Sequence, residues 1–209
     1  MKQARLDSLA DGIFAIVMTL LVLELHIPVL SGSVTNRELL AALWDSVPFI
    51  TTYALSFALL FTYWRGHHSI ASVLAQNIDS KLTTINAFFF LFVGLVPFTT
   101  LLMSRYYETQ AAIALYGLNI IFLGMLLYQM REYILRSSNI RNIETTPVEL
   151  QHMTMRILVP VYICAAAVLL SFVVDTRVSI SLFTLAILFN LSGSSTTLLT
   201  KIFPNVFKS

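Results

Sequence analysis

The sequence predicts an all-α protein that crosses a lipid bilayer several times, and its composition and hydropathy support that prediction. Of its 209 residues, 57% are apolar and 11% are charged, and the mean hydropathy is +0.79. An average soluble domain has about 25% charged residues, so this chain has too few charges to cover a soluble surface. The net charge of +2 is too small for a nucleic-acid-binding surface. A single cysteine, Cys164, excludes an intrachain disulfide.

Six apolar segments are long enough to cross the membrane as helices. A helix needs about 20 apolar residues to span the hydrocarbon layer, whereas membrane β-strands alternate polar and apolar residues over about 10 positions. The predicted spans are 12–30, 47–64, 83–103, 111–130, 157–174 and 178–199. Because they leave no stretch long enough for a second domain, we expect residues 1–209 to form one six-helix membrane domain.

The first apolar segment has an alternative interpretation as a cleaved signal peptide. Residues 1–5 are basic, and small residues at 31–33 resemble a cleavage site. Against this, Asp7 and Asp11 lie where a signal peptide carries only positive charge, and Glu24 interrupts the apolar region. We therefore expect the segment to be retained as the first span.

The basic residues indicate the orientation of the spans. With a cytoplasmic N-terminus and six alternating spans, ten lysines and arginines lie on the cytoplasmic side. Only Arg37, Arg105 and Arg177 lie outside. Cytoplasmic loops are enriched in basic residues, so both termini are predicted to be cytoplasmic.

Polar residues concentrate first around the start of the first span. Arg5, Asp7, Ser8 and Asp11 fall there within seven positions. One interpretation is a helix start, with Asp7 or Ser8 as the N-cap. The other is a buried network between Arg5 and Asp11 that holds several helices in register. The residues alone leave both interpretations open.

The second polar concentration lies in the predicted turn between spans two and three and contains His67 and His68, followed by Asp79 and Asn86. Adjacent histidines on a helix point about 100° apart, and no cysteine or further histidine lies nearby to complete a zinc set. We expect no bound metal here, and instead hydrogen bonds toward the Arg5/Asp11 end. The chain has no phosphate-binding loop, nucleophile elbow or HExxH helix, so we expect no enzymatic activity.

One stripe of the first span also invites two interpretations. On a helix, Ile16, Thr19 and Leu23 fall within an arc of roughly 60°, and Asp11 projects about 80° to 140° away from them. The stripe either faces a pathway or packs in the ordinary way, with the Thr19 hydroxyl bonded to the Ala15 carbonyl.

These motifs resemble a known family. Residues 5–16, RLDSLADGIFAI, are similar to the first-helix signature of the transmembrane protein 175 family, RxxxFSD followed by G-[VI]-[FY]-A-I. The segment 64–68, WRGHH, together with Asp79, Asn86 and the segment 95–98, LVPF, is similar to the second and third spans of that family. Leu9 and Ala10 stand where the signature has Phe and Ser, which removes one hydroxyl from the motif.

The resemblance implies a potassium-permeable channel of moderate selectivity for K⁺ over Na⁺. In this family, which contains the endosomal/lysosomal potassium channels of animals and their prokaryotic homologues, six-helix prokaryotic subunits form homotetramers. The first helix of each subunit lines a central pore that lacks a TVGYG filter. For this chain, the resemblance implies a bacterial plasma-membrane protein whose partners are the lipid bilayer, monovalent cations and other copies of itself. It implies no cofactor beyond permeant K⁺ and no nucleic-acid partner.

The resemblance also implies roles for individual residues. The narrow point and hydrophobic gate correspond to Ile16, the hydroxyl layer to Thr19 and a further apolar ring to Leu23, with K⁺ passing transiently near Ile16 and Thr19. The residues implied as a structural and gating network are Arg5, Asp11, His67, His68, Asp79 and Asn86.

Two other function classes remain as alternatives. One is a proton-coupled secondary transporter that uses Asp11 with His67 and His68. The other is a membrane enzyme or a scaffold that transports nothing.

Overall fold

The structure is a computed structural model that describes residues 3–25, 29–30, 32–75, 77–137, 139–140 and 147–173. These residues are mostly helical. The helices are α1 (Gln3–Leu20), which continues as a 3₁₀ turn (Leu21–Glu24), α2 (Asn36–Asp45), α3 (Val47–His68), which continues as a π-helical turn (Ser69–Leu74), α4 (Ser80–Arg105), α5 (Gln110–Arg136) and α6 (Pro147–Leu170). All except α2 are long and apolar enough to cross a bilayer. The protein is therefore a multi-pass membrane protein.

Five of the six predicted spans correspond to helices of the structure, and the sixth, 178–199, lies outside the described residues. The predicted limits of the first span, 12 and 30, were wrong, because α1 begins at Gln3 and the helical segment ends at Glu24. Asp7 and Ser8 thus lie inside α1, and their interpretation as N-caps was also wrong. The Ser8 hydroxyl instead donates to the Ala4 carbonyl at 2.8 Å.

The second span is also longer than predicted. Helix α3 continues through His68 and then as a π-helical turn to Leu74, so the histidines occupy the last helical turn rather than a connecting turn. The Gln3 side-chain amide donates to the carbonyls of Ala71 and Ala75. This contact ties the start of α1 to the π-helical turn.

Helix α2 was not predicted from the sequence, although its start carries a local signal. The Thr35 hydroxyl accepts from the Glu38 amide, and the Glu38 carboxylate accepts from the Thr35 amide at 2.9 Å. This reciprocal capping box satisfies two of the amides that a helix N-terminus leaves unpaired. It explains why a ten-residue helix begins at Asn36 in the connection between two spans.

Among the described spans, helix α5 is the most buried and packs between α4 and α6, while α1 packs against α3 and α4. The α5–α6 contact depends on Gly124. A Cβ atom at that position would lie 2.1 Å from Val161 Cγ2 and 3.2 Å from the Tyr63 hydroxyl. Small residues permit such close helix approach in membranes.

Hydroxyl groups inside the bundle find partners within it. Tyr63 donates to the Ile120 carbonyl at 2.8 Å. Ser56 shares hydrogen bonds with Tyr116 at 3.0 Å and Thr100 at 2.8 Å, which joins α3, α4 and α5. Because the hydrocarbon region offers no water to polar groups, these bonds fix how the three helices face one another.

The exposed face of helix α1 and its polar anchor

One face of α1 packs against the rest of the chain. Its members recur at helical spacing, lie within an arc of about 80°, and are at most 6% exposed: Leu6, Ala10, Phe14, Val17 and Leu21. This face fixes the rotation of α1 about its own axis. It therefore decides where every other α1 side chain points.

The stripe predicted from the sequence lies on the other side of α1. Ile16 is 60% exposed and Leu23 is 68% exposed, and Thr19 between them is also exposed. At 100° per residue, the centre of this stripe lies about 150° from the centre of the packed face. Packing within the part of the chain that the structure describes therefore does not account for Ile16 and Leu23.

The exposed stripe continues toward the N-terminus of α1. Leu9 is exposed, Gly12 has open space where a Cβ atom would lie, and Arg5 is exposed one turn earlier. With Ile16, Thr19 and Leu23, these positions are spaced alternately by four and three residues, which keeps them on one side of a helix. Arg5 consequently lies on the exposed side.

The Thr19 hydroxyl is hydrogen-bonded to the main chain of its own helix, as the interpretation of the stripe as an ordinary packing face expected. It donates to the Ala15 carbonyl at 3.0 Å and lies 2.8 Å from the Ile16 carbonyl. A hydroxyl has one proton and two acceptor lone pairs, so the oxygen keeps acceptor capacity while its proton is engaged. The back-bond and a cation-facing role are thus compatible.

A series of contacts anchors α1 to the end of α3. The Trp64 indole Nε1 donates to Asp11 Oδ1 at 2.8 Å, and the Trp64 ring stacks on His68, with ring centroids 6.0 Å apart. His68 Nδ1 lies 3.3 Å from the Ser72 hydroxyl, which donates to Asp7 Oδ2 at 3.5 Å. Two carboxylates of α1 are thereby connected to α3 and its π-helical turn.

His67 joins α3 to α4 in the interior. It is 2% exposed, and its Nε2 lies 2.7 Å from Asn86 Oδ1. Asn86 donates in turn to the Leu82 carbonyl at 2.8 Å. The imidazole stacks on the Phe89 ring at 5.4 Å between centroids, and the ring of Phe14 from α1 lies 6.5 Å away. The two adjacent histidines therefore point to different surroundings.

Asp79 has a separate role as the N-cap of α4. Its Oδ1 accepts from the Leu82 amide at 2.8 Å, and its Oδ2 accepts from the Tyr133 hydroxyl of α5. Desolvation raises the pKa of Asp79, but the hydrogen bonds from Tyr133 and Leu82 outweigh it and hold the pKa below its ordinary value. Asp79 thus stays ionised and links α4 to α5.

The structure divides the six predicted network residues into separate groups. Asp11 and His68 meet through Trp64, His67 meets Asn86, and Asp79 caps α4. Arg5 does not reach Asp11, and among the described residues it forms no ion pair. In the same part of the chain, no group of three or more His, Cys, Asp or Glu side chains is placed to hold a metal ion.

Several partners of the predicted residues were not predicted from the sequence. They are Asp7, Trp64 and Ser72 in the anchor of α1, and Tyr133 as the partner of Asp79. Trp64, His68 and Ser72 are each four residues apart, which places them on one side of a helix. That spacing was the available signal, but no local signal pairs Tyr133 with Asp79, 54 positions away.

The fold and the two faces of α1 describe a multi-pass helical membrane protein whose first helix presents an unpaired apolar side. Residues 5–97 match the model of a family described as endosomal/lysosomal potassium channel TMEM175. The resemblance inferred from the sequence motifs is confirmed by this match.

Individual proteins that are similar in sequence to this chain carry names that agree with the family match. The chain is 26% identical over 143 residues to a potassium channel of Streptomyces collinus, covering 66% of this chain and 68% of that protein. It is 33% identical over 114 residues to a potassium channel of Chamaesiphon minutus, covering 54% of this chain and 55% of that protein. A bovine endosomal/lysosomal proton channel, TMEM175, is 29% identical over 102 residues, covering 46% of this chain and 21% of that protein.

A solved structure agrees with the fold. It is a lysosomal potassium-selective channel TMEM175 homolog from Chamaesiphon minutus, with a TM-score of 0.75 and 22% sequence identity, covering 92% of this chain and 97% of that one. The matched family consists of ion channels and not of enzymes, which confirms the prediction of a protein without enzymatic activity.

Proposed function

We propose that the protein is a subunit of a potassium-permeable channel in which four copies of α1 surround a central pore. The observation that carries this proposal is the exposed stripe of Ile16, Thr19 and Leu23, which lies opposite the packed face of α1. One α1 cannot enclose a pore, whereas several copies around an axis can direct their stripes inward. The potassium-channel names of the bacterial relatives support the permeant ion, and their origin supports a bacterial plasma membrane.

In this assembly, Ile16 forms the gate. Four apolar side chains that meet on the axis exclude water, and a dewetted constriction does not pass hydrated ions. Opening requires the α1 helices to move apart far enough for a partly hydrated ion to pass. Leu23 forms a second apolar ring nearer the outer side.

Thr19 supplies the selectivity. Four hydroxyl oxygens, whose protons are engaged by main-chain carbonyls, replace part of the hydration shell of a cation. K⁺ gives up water at a lower cost than Na⁺ and is therefore favoured. Because four hydroxyls replace less hydration than stacked rings of carbonyls, selectivity is moderate, in keeping with a sequence that contains no TVGYG segment.

The polar contacts hold the pore helix in place. Asp11 bonded to Trp64 and His67 bonded to Asn86 link α1, α3 and α4 near the cytoplasmic side. Breaking either contact would leave a buried or charged group without its partner, and this costs free energy. The two contacts therefore oppose rotation of α1. The hydropathy of residues 178–199 supports a sixth span, and the distribution of basic residues supports cytoplasmic termini.

Substitution Ile16→Asn tests the proposal. An amide at the constriction wets it, so we expect a larger K⁺ leak than the wild type shows when purified protein is reconstituted in liposomes. The matched control is Leu91→Asn on α4, because Leu91 is 57% exposed, close to the 60% of Ile16, but does not lie on α1. An equal leak from both variants, or an unchanged leak from Ile16→Asn, would contradict a pore along α1.

The same liposomes separate a channel from the proton-coupled transporter that the sequence left as an alternative. K⁺ flux through a channel continues without a proton gradient and exceeds the turnover of a transporter. A transporter that uses Asp11 and the histidines requires a coupled proton. In the structure, Asp11, His67 and His68 each bond to a different residue, and no single site joins the three.

A further inference from the structure

A cavity of about 380 Å³ lies between α4 and α5, away from the exposed stripe of α1. Its lining includes Lys81 and Ile85 from α4 and Tyr128, Glu132 and Arg136 from α5. None of these residues takes part in the proposed pore or in the anchor of α1.

The cavity runs from the ends of two spans toward their middle. Lys81 and Arg136 lie at the ends of their spans, Ser80–Arg105 and Gln110–Arg136. At 1.5 Å per residue, Ile85 is about 6 Å deeper than Lys81 along α4, and Tyr128 is about 12 Å deeper than Arg136 along α5. The cavity thus has a charged mouth and an apolar and aromatic floor.

Among the described residues, the cations that line the mouth of the cavity outnumber the carboxylates. Glu132 is engaged by Arg131 at 2.6 Å and by Arg136 at 3.4 Å, and the Asp79 carboxylate is engaged by Tyr133 and the Leu82 amide. The Lys81 ammonium lies 4.8 Å from the centre of the Tyr133 ring, and the Arg136 side chain is 81% exposed. The cavity lining thus carries two cations, Lys81 and Arg136, and one carboxylate, Glu132, which is already paired.

We propose that this cavity binds an anionic phospholipid of the cytoplasmic leaflet. The phosphate lies at the mouth with Lys81 and Arg136, and an acyl chain follows the floor past Ile85 and Tyr128. Basic pockets between spans on the cytoplasmic side suit anionic headgroups, and the depth of the floor suits a lipid rather than free phosphate. The site does not depend on the proposed pore, so it can be tested whether or not the protein conducts ions.

Native mass spectrometry of the purified full chain in detergent tests the site, with phosphatidylglycerol and phosphatidylcholine of matched acyl chains as probes. We expect the wild type to bind phosphatidylglycerol more tightly. The double variant Lys81→Gln/Arg136→Gln should lose about tenfold or more of that affinity, since each cation near the surface contributes to anionic-lipid binding. The matched control, Arg37→Gln/Arg105→Gln, removes two exposed arginines from the opposite membrane side and should bind as the wild type does.

Two further measurements test the floor of the cavity. Ile85→Trp fills it without changing charge and should weaken phosphatidylglycerol binding, and glycerol 3-phosphate, which has no acyl chain, should not displace the lipid. If the double variant fails to remain monodisperse, the single variant Arg136→Gln gives the same comparison at an exposed position. Equal affinity for the two lipids, unchanged affinity after charge removal, or an equal loss in the control would overturn the proposal.

Discussion

The Thr19 hydroxyl donates its proton to the main chain and keeps its lone pairs on the exposed side of α1. We expect Thr19→Ala to move the bi-ionic K⁺/Na⁺ reversal potential toward zero, because the oxygen that replaces hydration is removed. Thr19→Ser should retain selectivity. The control is Thr84→Ala on α4, where an exposed threonine makes the same back-bond, to Ser80 at 3.0 Å. An unchanged potential in Thr19→Ala would assign selectivity to another layer.

Asn86 illustrates how a buried polar residue depends on one partner. Asn86→Leu leaves His67 Nε2 without its 2.7 Å hydrogen bond at a position that is 2% exposed. We expect a loss of about 1–3 kcal/mol in the free energy of unfolding, measured by denaturant titration in detergent. Asn77→Leu, which removes an exposed hydrogen bond to the Asn139 carbonyl, should cost less. Equal losses would mean that the His67 contact contributes little.

At the scale of the helices, Gly124 lies where α5 packs closely against α6. Gly124→Ala places a methyl group against Val161 Cγ2, well inside van der Waals contact, so the Val161 side chain or α6 must shift. We expect a destabilisation of about 1–3 kcal/mol, the usual cost of overpacking, seen as a lower thermal unfolding midpoint. Gly94→Ala on α4 is the control, because no atom lies within 4 Å of its added Cβ. A destabilised control with an unaffected Gly124→Ala would contradict this account.

The helices themselves follow from hydropathy, whereas their ends follow from short-range contacts. Sequence patterning located five of the observed spans, but it missed that α1 begins at Gln3 and that α3 extends through His68. The apolar pattern in the sequence ends where polar side chains begin. A helix can continue beyond that point as long as its main-chain hydrogen bonds are satisfied. The caps at Thr35 and Asp79 are visible in the sequence only when the helix start is already known.

For the whole molecule, the proposal requires four chains. We expect a detergent-corrected mass four times the 23.5 kDa of one chain, measured by light scattering of the purified protein. Several copies are needed because each chain contributes one exposed stripe, and the family resemblance implies that there are four. A monomer would remove the central pore, while leaving the lipid site between α4 and α5 testable.

The candidate site was predictable in part. Helical spacing alone grouped Ile16, Thr19 and Leu23, since 100° per residue places them on one side of any helix. Spacing does not say whether that side is packed or open, and the packing of Phe14 and its neighbours on α1 decided this. The pairing of Asp11 with Trp64, 53 positions apart, depends on how α1 lies against α3 and has no local signature.

By itself, the sequence determined a helical membrane protein with spans of known approximate position, because the bilayer requires long apolar helices whose main-chain groups are satisfied internally. It also determined which residues share a side of each helix. Only the tertiary structure decided which side of each helix is buried and which partner each carboxylate contacts. It also decided that α4 and α5 leave between them a cavity with charged residues at its mouth. These features arise from contacts between segments far apart in the chain, and the rotation of each packed helix sets them.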